Sequence, residues 1–466
     1  MKGRFQRGRY LITNTIIFSI GNFSSKLISF FLVPFYTYVL TTEEYGTVDL
    51  IFTISTVVSP FLMFNIHEAI KRYCLDKDAD YEAILTTASL VIIYGHLIGI
   101  LMVPLLNCFD SISKYVTEIY FYTLCMTTNL IFVEYLRGRE KMFAYTACGV
   151  VSSAAIAVLN ILFLRYLHWG IRGYFLSYII AYCISSTIAV IVGRQYIVLS
   201  KWKLDLELFK KMLLFSLPLI PNSLMWWVSN CSDRVMVTYI LGTAANGIYT
   251  VSYKIPTMIS TICNIFFQAW QFTAVKTKDT KDKEKFTNEI FDIYMRIVFM
   301  FSSILLILIK PFMKIYVSPQ FFDAWRYTPV LIIGTVFASL GTFVGTPYYV
   351  EKDMKGNLFS AMVGAGINII LNFVLIPKIG IQGAAIATCI SYISVFLYRV
   401  LDTRKYIRLS LWKIRYLMYI TELLILLILS FSEYLEKYLL IGIILCFQFV
   451  DNAKFVKNTM GDLRRS

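Results

Sequence analysis

Four basic residues lie inside long apolar stretches of this sequence, where a charged side chain is costly. They are Lys26, Arg234, Lys254 and Arg296. If these stretches cross a membrane, each charge at mid-bilayer costs at least about 2.5–3.5 kcal/mol on insertion scales and needs a compensating contact. A water-filled cavity with a positive lining would provide that contact. Such a cavity suits a phosphate or pyrophosphate, so we expect these four residues to bind substrate.

Structural ion pairs are a second explanation for these cations. The nearest acidic candidates for coupling or charge pairing are Asp49, Asp233 and Glu422. Asp49 is expected at a depth similar to that of Lys254, so these two could pair. Asp233 directly precedes Arg234 and points elsewhere on a helix, so it is not the natural partner of that arginine. Glu422 is isolated in the sequence and is a candidate proton site.

Three prolines mark places where membrane helices could bend. Pro218, Pro221 and Pro256 each remove a backbone donor, and neighbouring helices or a cavity must satisfy the freed carbonyl groups. We expect these three residues to act as hinges.

The histidines and cysteines give no sign of a metal site. The chain has three histidines and nine cysteines, scattered singly and without a CxxC pair. The pattern predicts no metal site, no disulfide framework and no cofactor.

The composition requires that membrane helices carry these residues. Of the 466 residues, 58% are hydrophobic and 16% are charged, and the mean hydropathy is +0.65. A soluble chain carries about 25% charged residues, and a single soluble core stops growing at about 250–300 residues. The net charge of +15 lies in short clusters between apolar runs. That distribution indicates membrane topology rather than a nucleic-acid surface.

Apolar runs of about 20 residues, the length that crosses a bilayer, divide the chain into about fourteen helices. Most of the 44 Lys and Arg residues fall on the side that holds both chain ends, which places both termini in the cytoplasm. The loops are too short for a soluble catalytic domain, so we do not expect an enzyme. The predicted spans are 11–39, 46–70, 83–106, 115–136, 143–164, 171–193, 212–240, 247–273, 288–310, 327–349, 357–377, 380–400, 412–431 and 436–452.

The two halves of the chain repeat one another. LTTEEYGTVDL, which contains Gly46, aligns with LGTAANGIYTV, which contains Gly247, and the GIxG turn at Gly170 aligns with that at Gly380. Parallel repeats of this kind recur in secondary transporters, with the substrate site between the repeats. We predict an all-α, polytopic transmembrane helix bundle of two six-helix lobes and a C-terminal helix pair. The predicted ranges are 1–200, 205–405 and 410–453.

Two segments of the sequence resemble a known family of exporters. Residues 14–50 look like the opening of the polysaccharide exporters, and residues 216–255, with the Asp233–Arg234 pair, are similar to the start of their second lobe. With the GIxG turns, the resemblance covers most of the chain. The sequence thus resembles the Wzx-type polysaccharide repeat-unit flippases, the O-antigen and capsule flippases of the multidrug/oligosaccharidyl-lipid/polysaccharide (MOP) exporter superfamily.

The resemblance implies a function and a location. Such flippases move undecaprenyl-pyrophosphate-linked oligosaccharide repeat units across the bacterial cytoplasmic (inner) membrane for O-antigen, lipopolysaccharide or capsule assembly. The two lobes would alternate access around a cationic cavity. The partners expected are the lipid-linked oligosaccharide, membrane lipids and a polysaccharide polymerase, with no nucleic acid.

Three other functions stay open. A peptidoglycan-precursor flippase of the same superfamily shares the cationic cavity. A multidrug or ion antiporter that handles cationic drugs favours acidic intramembrane residues, which is opposite to the pattern here. A membrane glycosyltransferase or polymerase would need a large extramembrane loop or buried catalytic carboxylates.

Overall fold

The computed structural model describes most of the chain as helix. The described residues are 25–76, 78–106, 110–277, 280–351, 353–410, 414–432, 440–442, 444–448 and 450–452, and none of them lies in a β-strand. Long apolar stretches fold this way because a helix satisfies every backbone N–H and C=O group within one segment. By its internal contacts the chain divides into two compact units, Met1–Gly247 and Ile248–Ser466.

The described residues of the first unit form eleven helices, and a twelfth crosses the boundary of the unit. A π-helical turn, Ile161–Tyr166, extends the seventh helix. The helices are α1 (Ser25–Val39), α2 (Thr42–Leu62), α3 (Ile66–Tyr73), α4 (Tyr81–Leu106), α5 (Asp110–Ser113), α6 (Val116–Gly138), α7 (Met142–Asn160), α8 (Gly170–Gly193), α9 (Gln195–Lys201), α10 (Leu206–Ser216), α11 (Leu219–Leu241) and α12 (Thr243–Ser252).

The second unit continues with longer helices and two short 3₁₀ segments, Pro319–Arg326 and Thr403–Lys405. Its helices are α13 (Pro256–Lys276), α14 (Lys283–Tyr316), α15 (Thr328–Val344), α16 (Thr346–Val350), α17 (Met354–Ile379), α18 (Ile381–Asp402), α19 (Ile414–Phe431) and α20, the helical residues 440–442, 444–448 and 450–452.

Within the described part of the chain, ten helices are long and apolar enough to cross a membrane, and α1, α20 and Pro256–Phe267 of α13 are shorter apolar helices. Together with α11, these helices fall on all the predicted spans. The prediction of an all-α polytopic bundle is confirmed, and the chain is a multi-pass membrane protein. The beginning of the first predicted span and part of the last lie outside the described residues.

The predicted second span is two helices rather than one. Between α2 and α3 the chain turns at Met63–Asn65, where Phe64 and Asn65 have φ values of 49° and 50°. This left-handed conformation cannot continue a right-handed helix. The Asn65 side chain donates to Ser223 Oγ at 3.0 Å, which ties the turn to α11.

The seventh and eighth predicted spans are also interrupted, and proline accounts for both breaks. The chain turns at Leu217–Pro218 before α11 and at Tyr253–Ile255 before α13, which Pro256 begins. Proline lacks an N–H and its ring clashes with the preceding turn, so it disturbs a helix least when it stands near the helix start. Pro221 lies in the first turn of α11. All three predicted hinge residues therefore stand at or next to helix starts, and their role as hinges stays a prediction.

The contacts place α10 and α11 in the first unit. α11 packs on α2, and α10 packs on α3 and α4. The predicted lobe boundary at residues 200–205 stays a prediction, whereas the division by contacts falls after Gly247.

The start of α2 is fixed by a capping box. Thr41 Oγ1 accepts the backbone N–H of Glu44 at 3.1 Å, and Glu44 Oε2 accepts the backbone N–H of Thr41 at 2.9 Å. These two bonds satisfy backbone donors that a helix start otherwise leaves unpaired. They begin α2 four residues before its predicted start and place Asp49 two turns inside the helix.

Candidate functional site

Asp49 and Arg234 form an ion pair within the first unit. Arg234 Nη1 of α11 donates to Asp49 Oδ1 of α2 at 2.8 Å, and the two side chains are 22% and 9% exposed. The other carboxylate oxygen accepts Asn246 Nδ2 at 3.3 Å. Within the first unit the carboxylate contacts Arg234, because α11 packs directly on α2. The pairing of Asp49 with Lys254 that the sequence suggested stays a prediction.

The two glycines that align in the repeat bring Asn246 to this pair. A Cβ atom on Gly46 would stand 1.8 Å from the carbonyl oxygen of Thr243, and one on Gly247 would stand 2.0 Å from that of Thr42. The first turns of α2 and α12 therefore meet backbone to backbone. Asn246 Nδ2 also donates to the Gly46 carbonyl at 3.0 Å, so the glycine contact positions the amide beside Asp49.

Asp233 is buried directly beside the pair. It is 3% exposed, and its Oδ1 accepts the backbone N–H of Arg234 at 2.9 Å. Its role in coupling or charge pairing stays a prediction.

Lys26 and Lys254 occupy different surroundings from the arginines. Lys26 is exposed on α1, one residue after Ser25. Lys254 is half-buried and lies in the turn between α12 and α13, not inside a helix as predicted. Its carbonyl accepts the Thr257 hydroxyl at 2.7 Å.

A cavity of about 340 Å³ lies among α1, α6, α7 and α8 of the first unit. We call it the hydroxyl-lined cavity. The described residues that line it are all uncharged, and its apolar lining includes Leu32, Val133 and Ile156. Its polar lining residues are Ser25, Ser29, Asn129, Ser152, Ser153, Tyr178, Tyr182 and Ser185.

Arg296 lies in a buried ionic network of the second unit. Its side chain is 4% exposed, and it contacts Asp451 Oδ2 at 2.7 Å and Asp292 Oδ2 at 3.2 Å. Arg415 contacts the same two carboxylates at 3.2 and 3.7 Å. Tyr419 donates to Asp451 at 2.6 Å. The network joins α14, α19 and α20, and two guanidinium groups balance two carboxylates.

These contacts favour a structural ion pair for Arg296, the alternative that the sequence left open. Neither of its carboxylate partners was among the predicted acidic residues. Asp292 lies one turn before Arg296 and could have been found from its i,i+4 spacing. Asp451 is 155 residues away at the end of the shortest predicted span, and nothing in the sequence connects the two.

The sequence suggested that Glu422 is isolated, but in the structure it has a hydrogen-bond partner. Its carboxylate accepts Gln448 Nε2 at 2.8 Å, and the same amide nitrogen lies 2.9 Å from Ser303 Oγ. This buried contact is a second polar link among α14, α19 and α20. Whether Glu422 takes part in coupling stays a prediction.

Arg399 lies near the end of the predicted span 380–400 and was not among the predicted site residues. Its guanidinium donates at 3.0 Å each to Ser360 Oγ, Asn357 Oδ1 and the Gly341 carbonyl. The Gly341 carbonyl lies in the last turn of α15 and also accepts the backbone N–H of Gly345 at 2.9 Å. Arg399 thus fastens α15 and α17 to α18.

Comparison with known proteins shows the family to which this chain belongs. Residues 11–271, more than half of the chain, match the family described as polysaccharide biosynthesis protein. The chain belongs to this family. A relative of this family member is an uncharacterized membrane protein of Methanocaldococcus jannaschii, 24% identical over 432 residues that cover 85% of this chain and 99% of the relative.

Two solved structures are similar to this member of the polysaccharide biosynthesis protein family. The lipid II flippase MurJ in an inward closed conformation has a TM-score of 0.72 at 15% identity, covering 96% of this chain and 100% of that chain. An inward-facing multidrug resistance MATE family transporter of the MOP superfamily has a TM-score of 0.66 at 14% identity, covering 83% and 94%. The fold is therefore that of MOP superfamily transporters.

Proposed function

We propose that this protein flips undecaprenyl-pyrophosphate-linked oligosaccharide repeat units across the bacterial cytoplasmic membrane for O-antigen or capsule assembly. One observation carries the proposal: a chain with the fold of a MOP transporter matches the polysaccharide biosynthesis protein family over residues 11–271. The similarity to a lipid II flippase supports a lipid-linked substrate. Both termini lie in the cytoplasm in this proposal, and a polysaccharide polymerase receives the flipped repeat unit.

Lys26, Lys254 and Arg234 are the cations that we propose bind the pyrophosphate. Lys26 is exposed and Lys254 half-buried, so both can reach an anion. Arg234 is partly exposed, and its guanidinium is the kind of planar donor group that binds phosphate oxygens through charge-assisted hydrogen bonds. Arg296 is enclosed by Asp292, Asp451 and Arg415 and stabilises the terminal helices in this proposal.

Deleting the gene in its own host tests the proposed substrate. We expect surface polysaccharide to disappear and lipid-linked repeat units to accumulate on the cytoplasmic side, and the unaltered gene to restore export. Lys26→Ala and Lys254→Ala should each lower the rate of export about tenfold, because each removes a charge-assisted contact to phosphate. Lys378→Ala, at an exposed lysine of α17, is the matched control and should export normally.

The alternatives predict other phenotypes. Arrest of growth with accumulated lipid-linked peptidoglycan precursor, and with surface polysaccharide intact, would support a peptidoglycan-precursor flippase. Loss of resistance to cationic drugs, with both glycans intact, would support a multidrug antiporter. Normal export by both lysine variants at normal protein levels would remove these residues from the substrate site.

A further inference from the structure

The hydroxyl-lined cavity is lined by hydroxyl, amide and apolar groups and not by the predicted substrate-binding cations. It extends from exposed Ser29 to Ser152 and Ser185, which are 7% and 1% exposed. A water molecule needs only about 10–15 Å³ of such space, so a cavity of about 340 Å³ has room for a small ligand. Binding pockets begin at about 300 Å³ and orient their ligands through a few polar groups.

The serine hydroxyls of this cavity donate to backbone carbonyls and so offer acceptor sites to a ligand. Ser29 donates to the Ser25 carbonyl at 3.0 Å and Ser153 donates to the Gly149 carbonyl at 2.9 Å, each within its own helix. Ser185 donates to the Cys148 carbonyl at 3.4 Å. A hydroxyl group has one donor and two acceptor sites, so each of these serines keeps acceptor capacity for a ligand that donates hydrogen bonds.

An amide and aromatic rings complete the lining. Asn129 Nδ2 donates to Ser186 Oγ at 3.2 Å, which fixes the amide and leaves acceptor capacity on its carbonyl oxygen. Tyr178 and Tyr182 present rings whose centroids are 6.2 Å apart. Aromatic rings offer rigid apolar area beside a polar hydroxyl. Many acceptors, apolar ring faces and neutral lining residues match a compound with many hydroxyl groups and no charge.

We propose that the hydroxyl-lined cavity binds a neutral sugar of the oligosaccharide, separately from the cations that bind its pyrophosphate. This assignment rests on the proposed function, because it requires that the substrate carry sugars. The neutral lining disfavours both a phosphate and a cationic drug, since either charge would lose its hydration there without a counter-charge.

Saturation-transfer NMR on the full chain in nanodiscs tests this assignment, with galactose and N-acetylglucosamine as neutral probes. We expect signals from both sugars, and no decrease when inorganic pyrophosphate is added. Asn129→Leu should weaken the signals about fivefold, because it removes hydrogen bonds to the ligand. Ser29→Val, at an exposed position that does not threaten folding, should weaken them in the same direction. Thr187→Val is the control, since Thr187 is exposed on α8, bonds to its own helix and does not line the cavity.

Three outcomes would overturn the sugar site. These are the absence of signals with the unaltered chain, equal signals from Asn129→Leu, Ser29→Val and the control, and displacement of the sugars by pyrophosphate. Export measured on the same variants separates this inference from the proposed function. Normal export by Asn129→Leu would refute the cavity as a substrate site while leaving the flippase intact. If the protein binds the sugars but deletion of its gene leaves every surface glycan intact, the proposed function is refuted and the sugar site is not.

Discussion

Arg234 and Arg296 have the same predicted role but reach different surroundings. Arg234 is 22% exposed and contacts Asp49, whereas Arg296 is 4% exposed and contacts both Asp292 and Asp451. A buried guanidinium with two carboxylate partners cannot turn to a substrate without leaving charges unpaired, and that is costly in a medium of low dielectric constant. The difference in burial makes Arg234 the better candidate for binding an anion.

Neutralising the pair of Asp49 and Arg234 distinguishes substrate binding from a structural role. Asp49→Asn and Arg234→Gln should each lower the free energy of unfolding by about 1.5–3 kcal/mol, because each leaves a charge without its partner. The double variant should recover most of that stability as a neutral pair. It should still fail to export if Arg234 binds pyrophosphate. Thermal unfolding of the purified protein and export in cells are the two measurements.

An exposed ion pair provides the control for this cycle. Asp323 and Arg326 are 3.3 Å apart, and their side chains are 59% and 60% exposed. Surface pairs contribute about 0–1 kcal/mol, so Asp323→Asn with Arg326→Gln should change neither measurement. If the double variant of the buried pair exports normally, Arg234 is structural.

At the level of elements, the crossing of α2 and α12 depends on having no side chain at two aligned positions. In the sequence, Gly46 and Gly247 correspond only because the two repeated segments align at these positions. The structure places each glycine against the backbone of the other helix. Backbone atoms cannot move aside as a flexible side chain can, so any larger residue must separate the helices.

Gly46→Ala should therefore destabilise the protein by about 3 kcal/mol or more, at the upper end of the range for overpacking. Gly366→Ala is the matched control, because Gly366 lies within α17 with nothing within 4 Å of an added Cβ. Alanine is favoured over glycine within a helix by about 1 kcal/mol, so the control should be neutral or slightly stabilising. Thermal unfolding of both variants in one detergent gives the comparison. Equal unfolding temperatures would contradict the close crossing.

The boundaries of elements followed from the sequence only in part. Hydrophobic runs located the spans, but the second, seventh and eighth spans each contain a break. The prolines signalled the later two breaks, because the loss of a backbone donor is a local property. The left-handed turn at Phe64–Asn65 carries neither proline nor glycine. Its side-chain contact to Ser223, 158 residues away, forms only when α11 packs nearby.

At the level of the whole molecule, the predicted fourteen spans place both termini on the cytoplasmic side of the membrane in the proposed topology. Green fluorescent protein fused to the carboxyl terminus should fluoresce, since it folds only in the cytoplasm, and alkaline phosphatase fused there should be inactive. Phosphatase fused after His168, in a predicted outer loop, should be active. An active phosphatase at the carboxyl terminus would contradict the even count and the cytoplasmic ends.

The sequence by itself determined that this protein lies in a membrane, that its fold is all-α, and approximately where its membrane spans lie. These properties follow from hydrophobicity and charge summed over about 20 neighbouring residues, which need no knowledge of packing. The sequence also selected the residues whose burial would be costly, because that cost belongs to the side chain and the bilayer.

Only the tertiary structure decided the partners of those residues. Asp49 and Arg234 are 185 residues apart, and Arg296 and Asp451 are 155 apart, so their contacts depend on which helix faces pack together. The hydroxyl-lined cavity was invisible for the same reason. Serines are common in membrane helices, and those on α1, α7 and α8 form one lining only when these helices assemble around a shared space.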